Sequence, residues 1–346
     1  MNLNPEAKMK AYKLKFHSSF HIDTGTIVDG PSETFIHSDT LFSAIVSAAR
    51  KFYGDEVATK FLEPKNLLLS SAFPYYKDEL FLPKPLNFFP ENLKEYEMIK
   101  VFKKTKFLTK DHLQNILNNQ EIDEKFYCKD YVFDGCWCTI PNVISKDKKE
   151  NDEEDKIFKV QEVPHIVMDR VSNQTQIFYK SEVYFSNQAG LYFIAEVKED
   201  LLLKFETVLR FLGDEGIGAD RTAGKGLFEV INITDFELST IGESDYYYSL
   251  SLYSPSKEEF NNIDPHKSFY DFIIRGGWIS NNTLNRKNLR MFVEGSVLKI
   301  NNKQKPVGLI HKVLEKEKYP NDLDYDIFRS GQALFLPITG GPNGNN

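Results

Sequence analysis

The sequence predicts an α+β fold in two parts: residues 1–240 in a ferredoxin-like (RRM-like) order, and residues 241–346 as a strand-rich second part. Three observations lead there. Once its insertions are set aside, the first part runs β-α-β-β-α-β by hydrophobic periodicity. An amphipathic segment ends directly in a glycine-rich loop, residues 213–226, which passes straight into a strand pattern. The second part reads as strand after strand, with one short helix candidate around Pro255 to Asn262.

Taken in order, Tyr12 to Ser18 (YKLKFHS) alternates apolar and polar residues and predicts the first strand. A turn-rich passage through Gly25, Gly30 and Pro31 follows. Ser38 or Asp39 then caps a helix whose apolar face is Leu41, Phe42, Ile45, Val46 and Ala49, with Gly54 ending it. Asn66 to Tyr76 predicts a second strand broken near Pro74, and Pro83 to Asn92 an irregular excursion. An insertion of about residues 83–180 contains a charged tip, Glu150 to Lys156. On either side of it, Val132 to Val143 and Val160 to Ser172 read as the two strands of a projecting arm. Val183 to Val197 returns to the core, Asp200 to Leu212 is the second helix, and Lys225 to Phe236 closes the sheet. After a boundary at LSTIGESD, strands are expected near Tyr246–Tyr253, Phe269–Ile274, Leu289–Val293, Pro306–Val313 and Gln332–Pro337.

Composition narrows the function classes. Hydrophobic residues make up 41% of 346, which predicts globular structure over disorder. No apolar run approaches a membrane span, and MNLNPEAKMKAYK lacks the apolar core of a signal peptide, so a cytoplasmic, membrane-free protein is expected. Cys128, Cys136 and Cys138 cannot all pair with one another, and C-x-C is too tight for the usual zinc ligands. No metal or other cofactor is expected. A net charge of −7 argues against a nonspecific nucleic-acid coat but leaves room for a localised groove. Lysines gather at Lys100, Lys103, Lys104, Lys106 and Lys110. A second positive set is Arg286, Lys287, Arg290, Lys299, Lys303 and Lys305. Either can be simply a solvated face.

The loop in LRFLGDEGIGADRTAGKGLFEV (Leu209 to Val230) carries the most chemistry. Gly213, Gly216, Gly218, Gly224 and Gly226 free the backbone for close approach, and Arg221, Thr222 and Lys225 supply donors for phosphate oxygens. The loop follows a helix, so it is neither a P-loop nor a dinucleotide fingerprint. The plainer reading makes Gly213 the helix C′ residue and the rest an ordinary connection. His37 sits at the opening of the first helix, where the dipole favours an anion, with Ser38 and Thr40 beside it. These residues can hold a phosphate or only cap and pack. Arg170 follows Asp169 in a β-like run, where it can stack on a base or pair internally. His311 and Arg329 are candidates for lining the same groove.

The helix, glycine-rich loop and closing strand resemble the signature unit of the RAMP superfamily of CRISPR proteins. Three further blocks, KLKFHSSFHIDTGTIVDGPSETFIHSDTLFSAIVSAARKF, VPHIVMDRVSNQTQIFYKSEVYF and GLIHKVLEKEKYPNDLDYDIFRSGQALFLPI, are similar in family order to the type III-A subunit that caps the guide's 5′ end, subunit four of the Csm complex. From about Pro83 to Glu162 no resemblance is recognised. The resemblance implies a degenerate second ferredoxin-like domain, and a noncatalytic role in antiviral defence that grips the repeat-derived 5′ handle of a CRISPR RNA. It further implies RNA contacts by His37, Ser38, Thr40, Arg170, Gly216, Gly218, Arg221, Thr222, Gly224, Lys225, His311 and Arg329. The implied partners are the large multidomain polymerase-nuclease subunit and the repeated backbone RAMP subunit. The rival expectation is a metal-independent RAMP endoribonuclease using His37.

Overall fold

The computed structural model describes residues 8–22, 32–88, 95–118, 132–133, 135–137, 156–169, 174–238, 244–279, 284–302 and 304–338. The first part contains β1 (Met9–Phe16), α1 (Ser38–Tyr53), α2 (Asp55–Leu62), β2 (Leu67–Leu69), β3 (Phe73–Tyr76), β4 (Glu79–Pro83), α3 (Tyr96–Lys104), β5 (Phe107–Thr109) and α4 (Lys110–Leu117). It continues through β6 (Val132–Phe133), β7 (Cys136–Trp137), β8 (Phe158–Met168), β9 (Thr175–Phe185), β10 (Ala189–Val197), α5 (Leu202–Glu215) and β11 (Phe228–Asp235). The second part holds β12 (Tyr246–Ser249), α6 (Lys257–Asn262), β13 (Phe272–Arg275), β14 (Leu289–Phe292), β15 (Val297–Lys299), β16 (Ile310–Leu314), β17 (Ile327–Ser330) and β18 (Phe335–Ile338).

At the centre lies an antiparallel sheet in the order β11-β1-β10-β3, with β2 also on β10, extended outward by β4, β5, β7 and β6. The alternation that predicted β1 sorts its side chains. Tyr12 and Leu14 face α1 and α5, whereas Ala11 joins the core on the other face. Tyr12 stacks on Phe193 at 5.2 Å and meets Phe205 of α5 edge-on at 5.4 Å. Each ring fully buried this way contributes about 1.5–3 kcal/mol. All five apolar residues expected on the face of α1 are buried, and Gly54 follows the helix. The opposite face of the sheet is covered by the second part: Tyr248, Leu250, Leu334 and Leu336 share one core with Phe73, Tyr192 and Ile194.

Four expectations change. The arm is a hairpin of β8 and β9, paired from Phe158 with Phe185 to Met168 with Thr175. Among the described residues, Val160 to Met168 therefore pairs with β9 and not with Val132 to Trp137, because its own neighbours close a far shorter loop. Val132 and Phe133 instead turn back on β7, which lies parallel to β5. The break in the second strand falls at Ser70–Ala72, while Pro74 remains in β3 opposite Leu191. The second helix runs past Gly213 to Glu215 and is capped by Gly216. In the second part, β15 and β17 were not anticipated. The tip residues Glu150 to Asp155, Gly25, Gly30, Pro31, Cys128, Cys138 and Arg170 lie outside the described residues.

Candidate nucleic-acid interface

Two polar clusters border the region that the sequence singled out. The first stands at the opening of α1. A helix N-terminus there was expected to offer a seat for an external anion, but the helix supplies its own: Asp39 is fully buried, its carboxylate accepts a hydrogen bond from Arg275 Nε at 3.0 Å, and Arg329 Nη1 forms an ion pair with it at 3.0 Å. Burial pushes the Asp39 carboxyl up, but the Arg275 and Arg329 charges and the Arg275 hydrogen bond outweigh it and hold it well below the usual range. Arg275 Nη2 also donates to Thr40 Oγ1 at 2.8 Å, and Arg329 Nη2 to the Gly276 carbonyl at 2.9 Å.

His37 and Ser38 are committed inward as well. His37 Nδ1 lies 2.8 Å from Glu294 Oε1, the imidazole is 4% exposed, and Ser71 donates to the same oxygen. The Ser38 amide donates to Ser71 Oγ at 2.8 Å, while Ser38 Oγ accepts the Leu252 amide at 3.0 Å. These residues knit the first part to the second. His311, on β16 opposite Arg329, sits 2.8 Å from Ser254 Oγ through Nε2, and burial together with the nearby Lys287 charge lowers its pKa. The structure thus brings His37, Ser38, Thr40, His311 and Arg329 into one neighbourhood. It gives His37, Ser38 and Arg329 buried internal partners where open groove contacts were expected, since an unpaired buried donor is costly.

The second cluster lies under the glycine-rich loop. Lys225 Nζ donates to Glu182 Oε2 at 2.8 Å and to Ser19 Oγ at 3.0 Å, so this lysine, expected on phosphate, points into the protein. Glu182, at the base of the arm, also accepts from Tyr184 at 2.9 Å and Ser19 at 2.5 Å. Burial raises the Glu182 carboxyl, yet the hydrogen bonds from Lys225, Ser19 and Tyr184 hold it at about 2. A second tie joins Lys180 of β9 to Asp220 of the loop at 2.8 Å. Loop and arm are therefore fixed to one another. Because the folded pKa is depressed, Glu182 contributes stability that is complete above about 4 and is lost as pH falls through that value toward 2. We expect Glu182→Gln to flatten the acid side of the stability curve in this window, as measured by urea midpoints at a series of pH values; an unchanged slope would assign the acid dependence elsewhere.

Outside these ties, the turn at Arg221–Ala223 stands free: Arg221, Thr222 and Gly224 are all exposed. Gly216 and Gly218 hold the loop close to its neighbours. A Cβ on Gly218, at φ +98°, would lie 2.5 Å from the His21 carbonyl oxygen, and one on Gly216 2.5 Å from that of Lys225. Sequence reasoning missed Glu182, Arg275 and Glu294. Their partners lie 43, 236 and 257 positions away, and nothing local marks them.

A helix–glycine-loop–strand unit on an antiparallel sheet, with a second β-rich part on the sheet's other face, defines the class as a two-part RAMP-type protein. Residues 13–229 match the RAMP superfamily model, and residues 242–338 match that of the CRISPR Csm4 C-terminal domain. The chain is 28% identical over 382 residues to the CRISPR system protein Csm4 of Methanocaldococcus jannaschii, covering 96% of this chain and 97% of that one. It is 28% identical over 287 residues to Csm4 of Thermococcus onnurineus, covering 79% and 85%. Among solved structures, the fold is shared with a Csm3-Csm4 subcomplex of a type III-A interference complex (TM-score 0.65, 22% identity, 96% of this chain and 99% of that one). It is also shared with a Csm1-Csm4 cassette bound to cA4 (TM-score 0.61, 20% identity, 96% and 98%). The chain belongs to the RAMP superfamily and, within it, to the Csm4 family of type III CRISPR Csm complexes. Among the described residues no helix is long and apolar enough to cross a membrane.

Proposed function

We propose that this chain is the noncatalytic subunit of a type III-A Csm complex that holds the 5′ repeat-derived handle of the CRISPR RNA and anchors the large polymerase-nuclease subunit. The observation that carries the reading is the exposed Arg221–Thr222–Gly224 turn, pinned by Lys225–Glu182 and Lys180–Asp220 to the base of the β8–β9 arm. A rigid donor-rich turn beside a projecting hairpin suits a single strand, which can be bent round a corner with its phosphates held and its bases free. Thr40, with His311 behind it, forms the other bank, while Asp39, Arg275 and Arg329 stiffen it from within. Arg170, by the family resemblance, would meet the guide where pairing begins.

The order β11-β1-β10-β2/β3 with α1 and α5 on one face supports a ferredoxin-like first domain, and the second part is read as its degenerate counterpart. Csm3-Csm4 and Csm1-Csm4 assemblies of the family support docking of this chain to a backbone RAMP subunit on one side and to the large subunit on the other. His37, buried and tied to Glu294, favours holding over cutting, because a general base must reach the proton it removes.

The test is handle binding. Arg221→Glu is expected to weaken binding of handle RNA about tenfold and to lower the salt slope by about one. Filter binding at several salt concentrations reads both, and unchanged affinity and slope would refute the assignment. Incubating the chain with repeat RNA in EDTA tests the rival, since site-specific cutting abolished by His37→Ala would make it an endoribonuclease.

A further inference from the structure

The second positive set noted in the sequence divides in the fold. Lys299 binds Asp245, Lys305 lies 4.0 Å from Glu196, and Lys303 is outside the described residues. Lys287 and Arg290 are exposed and make no ion pair among the described residues, whereas Arg286 is half-buried within electrostatic reach of Asp39. All three lie on the β13–β14 hairpin or on the connection leading into β14.

That hairpin has two unlike faces. Ile273 and Arg275 point inward with Met291, and Arg275 reaches Asp39 at the opening of α1. The outward face carries apolar groups in water, Phe272 40% exposed and Ile274 51%, and Trp278, three residues past the strand on the connection, is 45% exposed. Directly paired residues share a face, which sets Ile274 beside Arg290 and Phe272 beside Phe292. The Phe272 ring rests 4.5 Å from that of buried Phe292 and is steadied by it, with its outer side free. The Arg290 guanidinium lies 5.7 Å from the Phe272 centroid.

We infer that the outward face of the β13–β14 hairpin is a stacking platform for unpaired RNA bases, with Phe272 and Trp278 taking the rings and Lys287 and Arg290 the phosphates between them. The inference rests on the handle-binding reading and adds where the bases go. Protein interface cores are depleted of charge, whereas single-strand grooves interleave aromatic rings with cations. Two exposed cations without ion-pair partners beside exposed rings, on a chain of net charge −7, fit the second pattern. The platform is tied to the opening of α1 through Arg275 and Asp39.

The experiment compares a short single-stranded RNA of mixed sequence with its abasic counterpart, which keeps every phosphate, by fluorescence anisotropy on the full chain. Phe272→Leu and Trp278→Leu remove the π-faces at exposed positions while keeping an apolar side chain, so the fold is spared; near-ultraviolet circular dichroism checks this. The double substitution is expected to weaken base-bearing RNA about tenfold or more and to leave abasic RNA unchanged. Arg290→Gln is expected to weaken both RNAs alike. Equal loss on both RNAs from the aromatic pair, or no loss on either, overturns the platform. Loss of binding to a partner subunit with RNA affinity intact also overturns it, since the face would then be a protein dock. If Arg221→Glu weakens RNA binding and the aromatic pair does not, the platform falls while the handle reading stands. If neither affects RNA binding, the handle reading itself falls and takes the platform with it.

Discussion

Asp39→Ala is expected to cost about 3–5 kcal/mol of folding stability, because it leaves Arg275 and Arg329 buried without their counter-charge. Both guanidinium groups are nearly inaccessible, at 4% and 5% exposure, so water cannot replace the carboxylate. Arg275 comes from β13 and Arg329 from β17, so the loss falls on the seam between the two parts of the molecule. Urea unfolding measures it, and a cost below about 1 kcal/mol, the scale of a surface ion pair, would contradict the geometry. Acid gives an independent check. The Asp39 carboxyl is depressed in the folded state, so its contribution is fully present above about 4 and fades as pH falls below that range. The variant should therefore lose part of the wild-type dependence at low pH. It should also bind RNA poorly even where folded, since Thr40 would lose the arginine that fixes it.

Gly226→Ala should have the second large effect, with Gly224→Ala as its control. Gly226 has φ +72°, and a Cβ there would fall 1.9 Å from the Ile217 carbonyl oxygen, a position backbone must vacate. Gly224 has φ +76° with nothing within 4 Å of the same construction. For Gly224→Ala only the left-handed conformation is penalised, about 1–2 kcal/mol. Gly226→Ala adds displacement of the loop, so its destabilisation should clearly exceed the control and the Arg221 turn should shift off the arm. Thermal unfolding and handle binding on the two variants together decide it. Equal melting temperatures would show that the loop backbone yields without cost.

Much of the frame was legible before any coordinates. The alternation at Tyr12 and Leu14, the apolar face of α1 and the glycine punctuation around residues 213–226 are local patterns with local causes, and they led to the corresponding strand, helix and loop. Pairing was less legible. Both Val132 to Val143 and the neighbourhood of Val160 have strand character, and periodicity names no partner. Only the observed register shows that β8 closes on β9.

The candidate site divides along the same line. Composition marked Arg221, Thr222 and Gly224 as phosphate donors on a flexible loop, and their exposure is consistent with that reading. It marked Lys225 equally well and Arg329 more weakly, since a cation's sequence neighbours do not reveal a carboxylate brought in from afar. Glu182 meets Lys225 across 43 positions, and Asp39 meets Arg275 across 236. The sequence by itself determined which segments coil, extend and turn, because those choices are made within a few residues by sterics and burial. Tertiary structure alone decided which charges are spent inside and which remain for a ligand, because charge pairing depends on distance through space.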